Sequence, residues 1–294
     1  MHSTDPAPEQ LAFFATAAAM TALPATSPQY EGLPDDAAGL CQVAAHVLVH
    51  EFWADAYGVT DVAARVEELE LRPAGAILAA IATRATSAGS LARGLPVGQR
   101  LLGNCRQFTV LTCALLRRAG IPARARSGFA SYLDQGWTDH WVVEYWNAEA
   151  HRWIQADPQL DQLQCERLGV TFDPLDLPPG QFINGSQAWL RCRNGDDPQR
   201  YGIFDLRGQW FVQDALIRDL AALNQIELLP WDAWGIMVGP DEQPTEEQLA
   251  ILDTVAEAVI TDHPVAYQEW FRQDGLAVPD VIHSARFDRD VRLR

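Results

Sequence analysis

Lysine is missing from the 294-residue sequence, in which all 22 basic residues are arginine. The chain therefore has no Schiff-base lysine, no lysine general base and no P-loop lysine. Positive charge is scarce overall: 22 basic against 39 acidic residues leave a net charge of −17. Such a surface repels a phosphate backbone or an anionic bilayer, so neither nucleic acid nor a membrane is expected as a partner. Cysteine is sparse and scattered. Cys41, Cys105, Cys113, Cys165 and Cys192 form no C-x-x-C pair, which argues against a disulfide framework or a zinc knuckle and for reduced thiols in a cytoplasmic protein. Long apolar runs are absent too, so no transmembrane span is expected. The alanine-rich stretch Leu11–Leu23 has the length of a signal-peptide core. It is preceded by Asp5 and Glu9 and by no basic residue, and it reads as an N-terminal helix starting near Pro8.

What the sequence does contain is core-forming material: 48% of residues are hydrophobic and 21% charged, enough for one large domain or two ordinary ones. The first hundred residues read as helical. Asp35 or Asp36 caps a helix over 37–57 stopped by Gly58, Asp61 caps another to about Leu71, and a third covers 73–84. The Gly/Ser/Pro-rich stretch 87–98 is a connection. Leu102–Ala119 forms a helix ended by Gly120-Ile121-Pro122, and strands follow at 123–129, 140–146 and 152–157. The segment 172–180, with Pro174, Pro178 and Pro179, is a loop. Helices return at 186–192, 212–224 and 245–260, the last opening on the capping-box pattern Thr245-Glu246-Glu247-Gln248, and the arginine-rich tail from Pro279 is weakly structured. This order predicts an α+β fold.

Cys105 falls in the first turn of the 102–119 helix, where unpaired backbone N–H groups and the helix dipole favour thiolate. Cys113, two turns on in an apolar run, reads as a packed residue. Downstream, a hairpin with the four-residue loop 147–150 would pair Trp146 with His151 and set His140 opposite Asp157. Directly opposed residues share a face with Cβ atoms about 5 Å apart, close enough for an imidazole–carboxylate bond. Cys105 as nucleophile, His140 as base and Asp157 as orienter then form a complete set. Asp139 is a competitor for the imidazole. His46 and His50, followed by Glu51, suggest a metal, but the zincin pattern needs Glu directly after the first His, where this chain has Val47. A helix face carrying two histidines is the reading preferred, with no metal and no cofactor. Among ten tryptophans, Trp137 and Trp141 are the candidates for a substrate pocket.

The string Gly103-x-Cys105, an apolar helix, Leu115-Leu116-Arg117-Arg118-Ala119-Gly120-Ile121-Pro122-Ala123-Arg124, His140-Trp141-Val142-Val143-Glu144 and Trp153-x-x-x-Asp157-Pro158 resembles the transglutaminase-like core. The resemblance covers about 101–160. It implies a papain-like core in which a helix bearing Cys105 packs on an antiparallel sheet bearing His140 and Asp157, with a Cys-His-Asp triad on those positions. Two departures stand out: Trp141 follows His140 directly where many members have Ala-Trp, and the zinc-binding Cys pairs of the peptide N-glycanase branch are absent. The stretches 186–189, 218–224 and 228–232 resemble a group of bacterial transglutaminase-like proteins.

The organisation expected is thus a helical region over 1–98, the core over 99–180 and a mainly helical extension over 181–294, both flanks packed on the core. The resemblance implies cysteine-dependent acyl transfer from an amide or thioester of a peptide, protein or small molecule, to water or an amine. Gln99, six residues before Cys105, has the offset of the oxyanion glutamine in papain-like enzymes. The alternative is a non-catalytic scaffold of the same fold.

Overall fold

Asp36 rather than Asp35 sets the start of the first long helix: its Oδ1 accepts the Gly39 N–H at 2.8 Å, capping α2 (Ala37–Val47). In the computed structural model, which describes residues 5–85 and 90–293, α1 spans Pro8–Ala15 and is shorter than expected. The helix expected over 37–57 is interrupted. Leu48–His50 form β1, which pairs in parallel with β2 (Leu101–Gly103), and Glu51–Tyr57 close into a 3-10 helix ended by Gly58 at φ +75°. The Leu48 N–H still bonds back to the Ala44 carbonyl, but beyond it the chain pairs across a ladder and does not continue the helix. Val62–Glu70 is likewise 3-10, and Asp61 makes no side-chain cap. Then α3 covers Ala74–Arg84. Of the connection 87–98, residues 87–89 lie outside the described ones, and 91–93 and 97–99 are short 3-10 turns.

Helix α4, Cys105–Arg118, is buried along its length, with only Arg118 exposed. Its polar side chains therefore need internal partners. Arg106 Nη1 donates to the Arg72 carbonyl at 2.5 Å, and Arg117 donates to the Ala123 carbonyl and to Thr21 Oγ1. The stop is the expected one. Gly120 adopts φ +79° while Ile121 N–H reaches the Leu116 carbonyl at 2.9 Å and Gly120 N–H the Arg117 carbonyl at 3.0 Å, the paired bonds of a Schellman turn.

β3 (Ala123–Ala130), β4 (Trp137–Asn147) and β5 (Arg152–Ala156) follow. The β4–β5 register differs from the expected one. Trp146 faces Trp153 and Asn147 faces Arg152, so the loop is 148–151, and the ladder ends at Val143–Ala156. Asn147 stays in the strand while its Oδ1 closes the turn on the Glu149 and Ala150 N–H groups, and His151 leaves at φ +49°. The ladder stops because the Asp157 N–H turns away to the Pro174 carbonyl at 2.7 Å. Asp157 is therefore not paired across the hairpin with His140.

After α5 (Gln162–Leu168) come β6 (Phe182–Asn184), α6 (Gly185–Arg193), β7 (Tyr201–Ile203), β8 (Leu206–Arg207) and α7 (Gln209–Leu223). The sheet order is β6-β3-β4-β7-β8, with β5 on β4. β3–β6 and β7–β8 are antiparallel, while Trp137 and Thr138 pair in parallel with Tyr201 and Gly202. Next are β9 (Asp232–Ala233), α8 (Glu246–Ile260), with its expected Thr245/Gln248 capping box, and α9 (Pro264–Phe271). The tail is structured, contrary to expectation. β10 (Val281–Ser284) pairs with β9 and with β11 (Arg289–Arg292), and the Arg286 and Arg289 guanidinium groups stack over Phe287.

By packing, the chain divides into one unit of residues 1–125 and 142–178 and another of 126–141 and 179–294. The first holds β1, β2, α4, β5 and α5. In the second, α6 and α7 pack together, and Arg126 forms a buried bidentate pair with Asp219 of α7.

Candidate active site

The local sequence around Cys105 makes a rigid helix start. Asn104 is the N-cap; its Oδ1 accepts the Gln107 N–H at 3.2 Å, and Gln107 Oε1 accepts the Asn104 N–H at 3.0 Å. Gln107 Nε2 is anchored in turn on the Glu68 and Leu71 carbonyls. Cys105 is thus the first residue of a doubly capped helix, and only 6% of its surface is exposed. The backbone N–H groups of a first helical turn have no intrahelical acceptor and point out of the helix end. An anion formed there, whether thiolate or oxyanion, meets donors already in place. Cys113 is fully buried within α4, as expected.

His140 lies within β4, 1% exposed, its ring edge-to-face with Tyr132 at 6.1 Å between centroids. Asp139 beside it is buried, and burial pushes its carboxyl up to about 6, against the pull of the Arg218 and His140 charges. Arg218 is itself held by Asp214 and by the Asp232 carbonyl. Asp157 is fully buried just beyond β5, where its Oδ1 accepts the Gln159 N–H at 3.0 Å. Cys105 and Asp157 belong to the first packing unit and His140 to the second.

Gln99 is half-buried at the end of a 3-10 turn, two residues before β2. Trp137 is stacked on Tyr201, nearly parallel at 6.2 Å, and carries the Arg191 guanidinium 5.0 Å from its ring centre. Trp141 is fully buried, and its Nε1 has no hydrogen-bond partner among the described residues. His46 and His50 do not share a helix face, because α2 ends between them, and no metal-binding group of side chains occurs among the described residues.

Two features escape sequence reasoning. One is a cavity of about 410 Å³ beside Asp157, walled by α2 and by the chain around α5, with Cys41 and Cys165 facing it. Both thiols are pushed up by burial, Cys41 to about 12 with help from Asp36, so neither is an activated nucleophile. The other is the placement of His50 against Gly103 in the β1–β2 ladder. No spacing rule relates two three-residue strands that lie fifty residues apart.

Comparison with known proteins agrees with the motif string. Residues 75–158 match the family model of the transglutaminase-like superfamily, a span that includes Cys105, His140 and Asp157. That segment is similar to the transglutaminase-like core, and the fold around it is mixed α+β. One solved structure, from Cytophaga hutchinsonii and described as a candidate cysteine protease, shares 18% identity over 54% of this chain and 45% of its own. The chain thus spans less than half of that protein, and the TM-score is 0.23, too low for a common superposition. No curated protein matches the chain. No helix among the described residues is long and apolar enough to cross a membrane.

Proposed function

We propose that the chain is a cysteine-dependent acyl-transfer enzyme of transglutaminase-like type, acting on an amide or thioester through a thioacyl intermediate. Cys105 attacks the carbonyl carbon, His140 takes the thiol proton and returns one to the leaving group, and Asp157 orients the imidazole. The observation that carries this reading is the position of Cys105 as the first residue of a capped helix inside the family-matched segment. The Cys105 N–H is one oxyanion donor, a kind of contact worth about 3 kcal/mol of barrier lowering. Full burial of Asp157 supports its role, since a carboxylate away from water acts strongly on any imidazole that reaches it. The acceptor of the acyl group is water or an amine, and both share this first half-reaction.

The test is the rate of Cys105 alkylation by iodoacetamide against pH, mapped by mass spectrometry, in wild type and His140→Ala. Fast labelling well below pH 8 that disappears in His140→Ala is the expected result. Labelling no faster than that of an ordinary thiol in both proteins would move the non-catalytic scaffold to the front.

A further inference from the structure

Glu68 grips the chain on both sides of Cys105. Its carboxylate Oε2 accepts the Leu102 N–H at 2.6 Å, three residues before the cysteine. Its backbone carbonyl accepts Gln107 Nε2 at 2.8 Å, two residues after it. Gln107 also closes the cap on the Asn104 N–H, so this second grip falls on the helix start itself. The fit between the two grips is close: a Cβ on Gly103 would stand 3.2 Å from Gln107 Oε1.

The half-buried carboxylate is itself held by two arginines. Buried Arg65 donates Nε to Glu68 Oε1 at 3.1 Å and Nη2 to Oε2 at 2.9 Å, and Arg84 Nη1 donates to Oε1 at 2.9 Å. Both guanidinium groups also donate onward. Arg65 Nη2 reaches the Arg100 carbonyl at 2.6 Å, and Arg84 Nη2 the Gly98 carbonyl at 3.2 Å. The carbonyls before and after Gln99 are thus tied to the same carboxylate. Charge-assisted bonds of this kind are about twice as strong as neutral ones, and the planar guanidinium fixes direction as well as distance. The groups reached, on Gly98, Arg100, Leu102 and Gln107, all lie in the stretch 98–107 that carries Cys105.

We infer that Glu68 is a positioning residue for the acylation of Cys105, holding the Cys105 N–H where the carbonyl oxygen gains its charge. The inference rests on the acyl-transfer reading of Cys105. As the sulfur bonds to the carbonyl carbon, the C=O π pair moves onto oxygen, and a backbone N–H stabilises it only when already aimed there. When that pair returns, the bond to the leaving group breaks and the leaving group departs with its electrons. A misplacement of about 1 Å costs as much as about 100-fold in rate.

Two uncharged substitutions loosen the grip from either side. Glu68→Gln removes the charge that aligns both arginines. Gln107→Met cuts the tie to the Glu68 carbonyl and keeps the backbone N–H that Asn104 Oδ1 accepts. Gln187→Met takes the matching cap bond from α6 and serves as the control for lost stability alone. The probe is p-nitrophenyl acetate, read as the burst of p-nitrophenolate on acylation of Cys105 over a range of ester concentrations. Iodoacetamide alkylation of Cys105, which forms no oxyanion, is run in parallel. Both rates are taken at each protein's pH plateau and per folded molecule. The expected result is a maximal burst rate about 10- to 100-fold lower in Glu68→Gln and in Gln107→Met. The half-saturating ester concentration and the alkylation rate stay at their wild-type values, and the burst of Gln187→Met is unchanged. The sign in Glu68→Gln is decisive, because loss of a nearby negative charge would by itself favour thiolate and oxyanion and speed the burst. An unchanged or faster burst in folded Glu68→Gln overturns the inference; if that variant does not fold, an unchanged burst in Gln107→Met does so alone. Equal losses of burst and alkylation, or a change confined to the half-saturating concentration, overturn it too, as does fast wild-type alkylation without any burst. Slow wild-type alkylation is a different failure, that of the acyl-transfer reading itself, and the inference falls with it.

Discussion

Two helices of this protein start with the same device and end up with opposite uses. α4 opens as Asn104-Cys105-Arg106-Gln107 and α6 as Asn184-Gly185-Ser186-Gln187. Both carry a full Asn/Gln capping box, and both follow directly on a three-residue strand. At the first helical position of α6 there is no room for a side chain: a Cβ on Gly185 would sit 2.4 Å from the Ala215 carbonyl oxygen in α7. That helix end is spent on packing. At the equivalent position α4 carries Cys105. The same cap therefore makes a structural joint in one place and a candidate reaction centre in the other, and the residue after the Asn decides which.

The sharpest way to break the parallel is to exchange the first helical residues. Cys105→Ala is expected to abolish the p-nitrophenolate burst while lowering unfolding stability by no more than about 1 kcal/mol. Gly185→Ala should do the reverse. Its methyl meets backbone that cannot swing aside, at a cost of about 3 kcal/mol in urea unfolding, with the alkylation rate of the remaining folded protein unchanged. A burst that survives Cys105→Ala would remove Cys105 as the nucleophile.

A somewhat smaller effect distinguishes α7, the helix that closes the α6 start. Burial raises Asp214, and likewise Asp139, from 3.8 to about 6. A carboxyl raised on folding contributes stability that is complete below its unfolded value and lost as pH rises through the folded one. Wild type should thus lose stability between pH 4 and 7, by about 2 kcal/mol for each group. Asp139→Asn or Asp214→Asn should flatten that slope, as followed by urea midpoints across the range; an unchanged slope refutes the assignment.

The caps themselves come next. Asn104→Ala and Asn184→Ala should each cost about 1 kcal/mol and the Ser variants only a few tenths, because Ser caps as well as Asn. Smallest of all is the labelling of the other thiols. Cys41 and Cys192 are both pushed up to about 12 by burial, with Asp36 adding to the first and Asp196 and Asp197 to the second. Neither should react with iodoacetamide at pH 8 until the protein is unfolded, as peptide mapping with and without urea would show.

The sequence was most readable where a single local rule decides the outcome. Gly120-Ile121-Pro122 can only end a helix, Thr245 and Gln248 can only begin one, and Cys105 had to lie near a helix start. It was least readable where a partner far along the chain decides. Leu48–His50 continue a helical pattern and leave it because Leu101–Gly103 offer a ladder. The tail from Pro279 becomes two strands because Asp232 and Ala233 supply an edge. The hairpin register was missed for a subtler reason: Asn147 closes its turn with a side chain and keeps its backbone in the strand, which moves every pair along by two. The residue types of the candidate site were legible, while the neighbours of each, such as Gly103 for His50 and Arg218 for Asp139, were not.

The burial of α4 has one further consequence. A helix with a solvent face frays and reseals many times before the whole protein opens, so its amide protons exchange by local routes. From Cys105 to Arg117 no residue of α4 has such a face. Its central amides, those of Leu111 and Cys113, should exchange with deuterium only through global opening. The thiol at its head would then keep its geometry until the fold itself is lost.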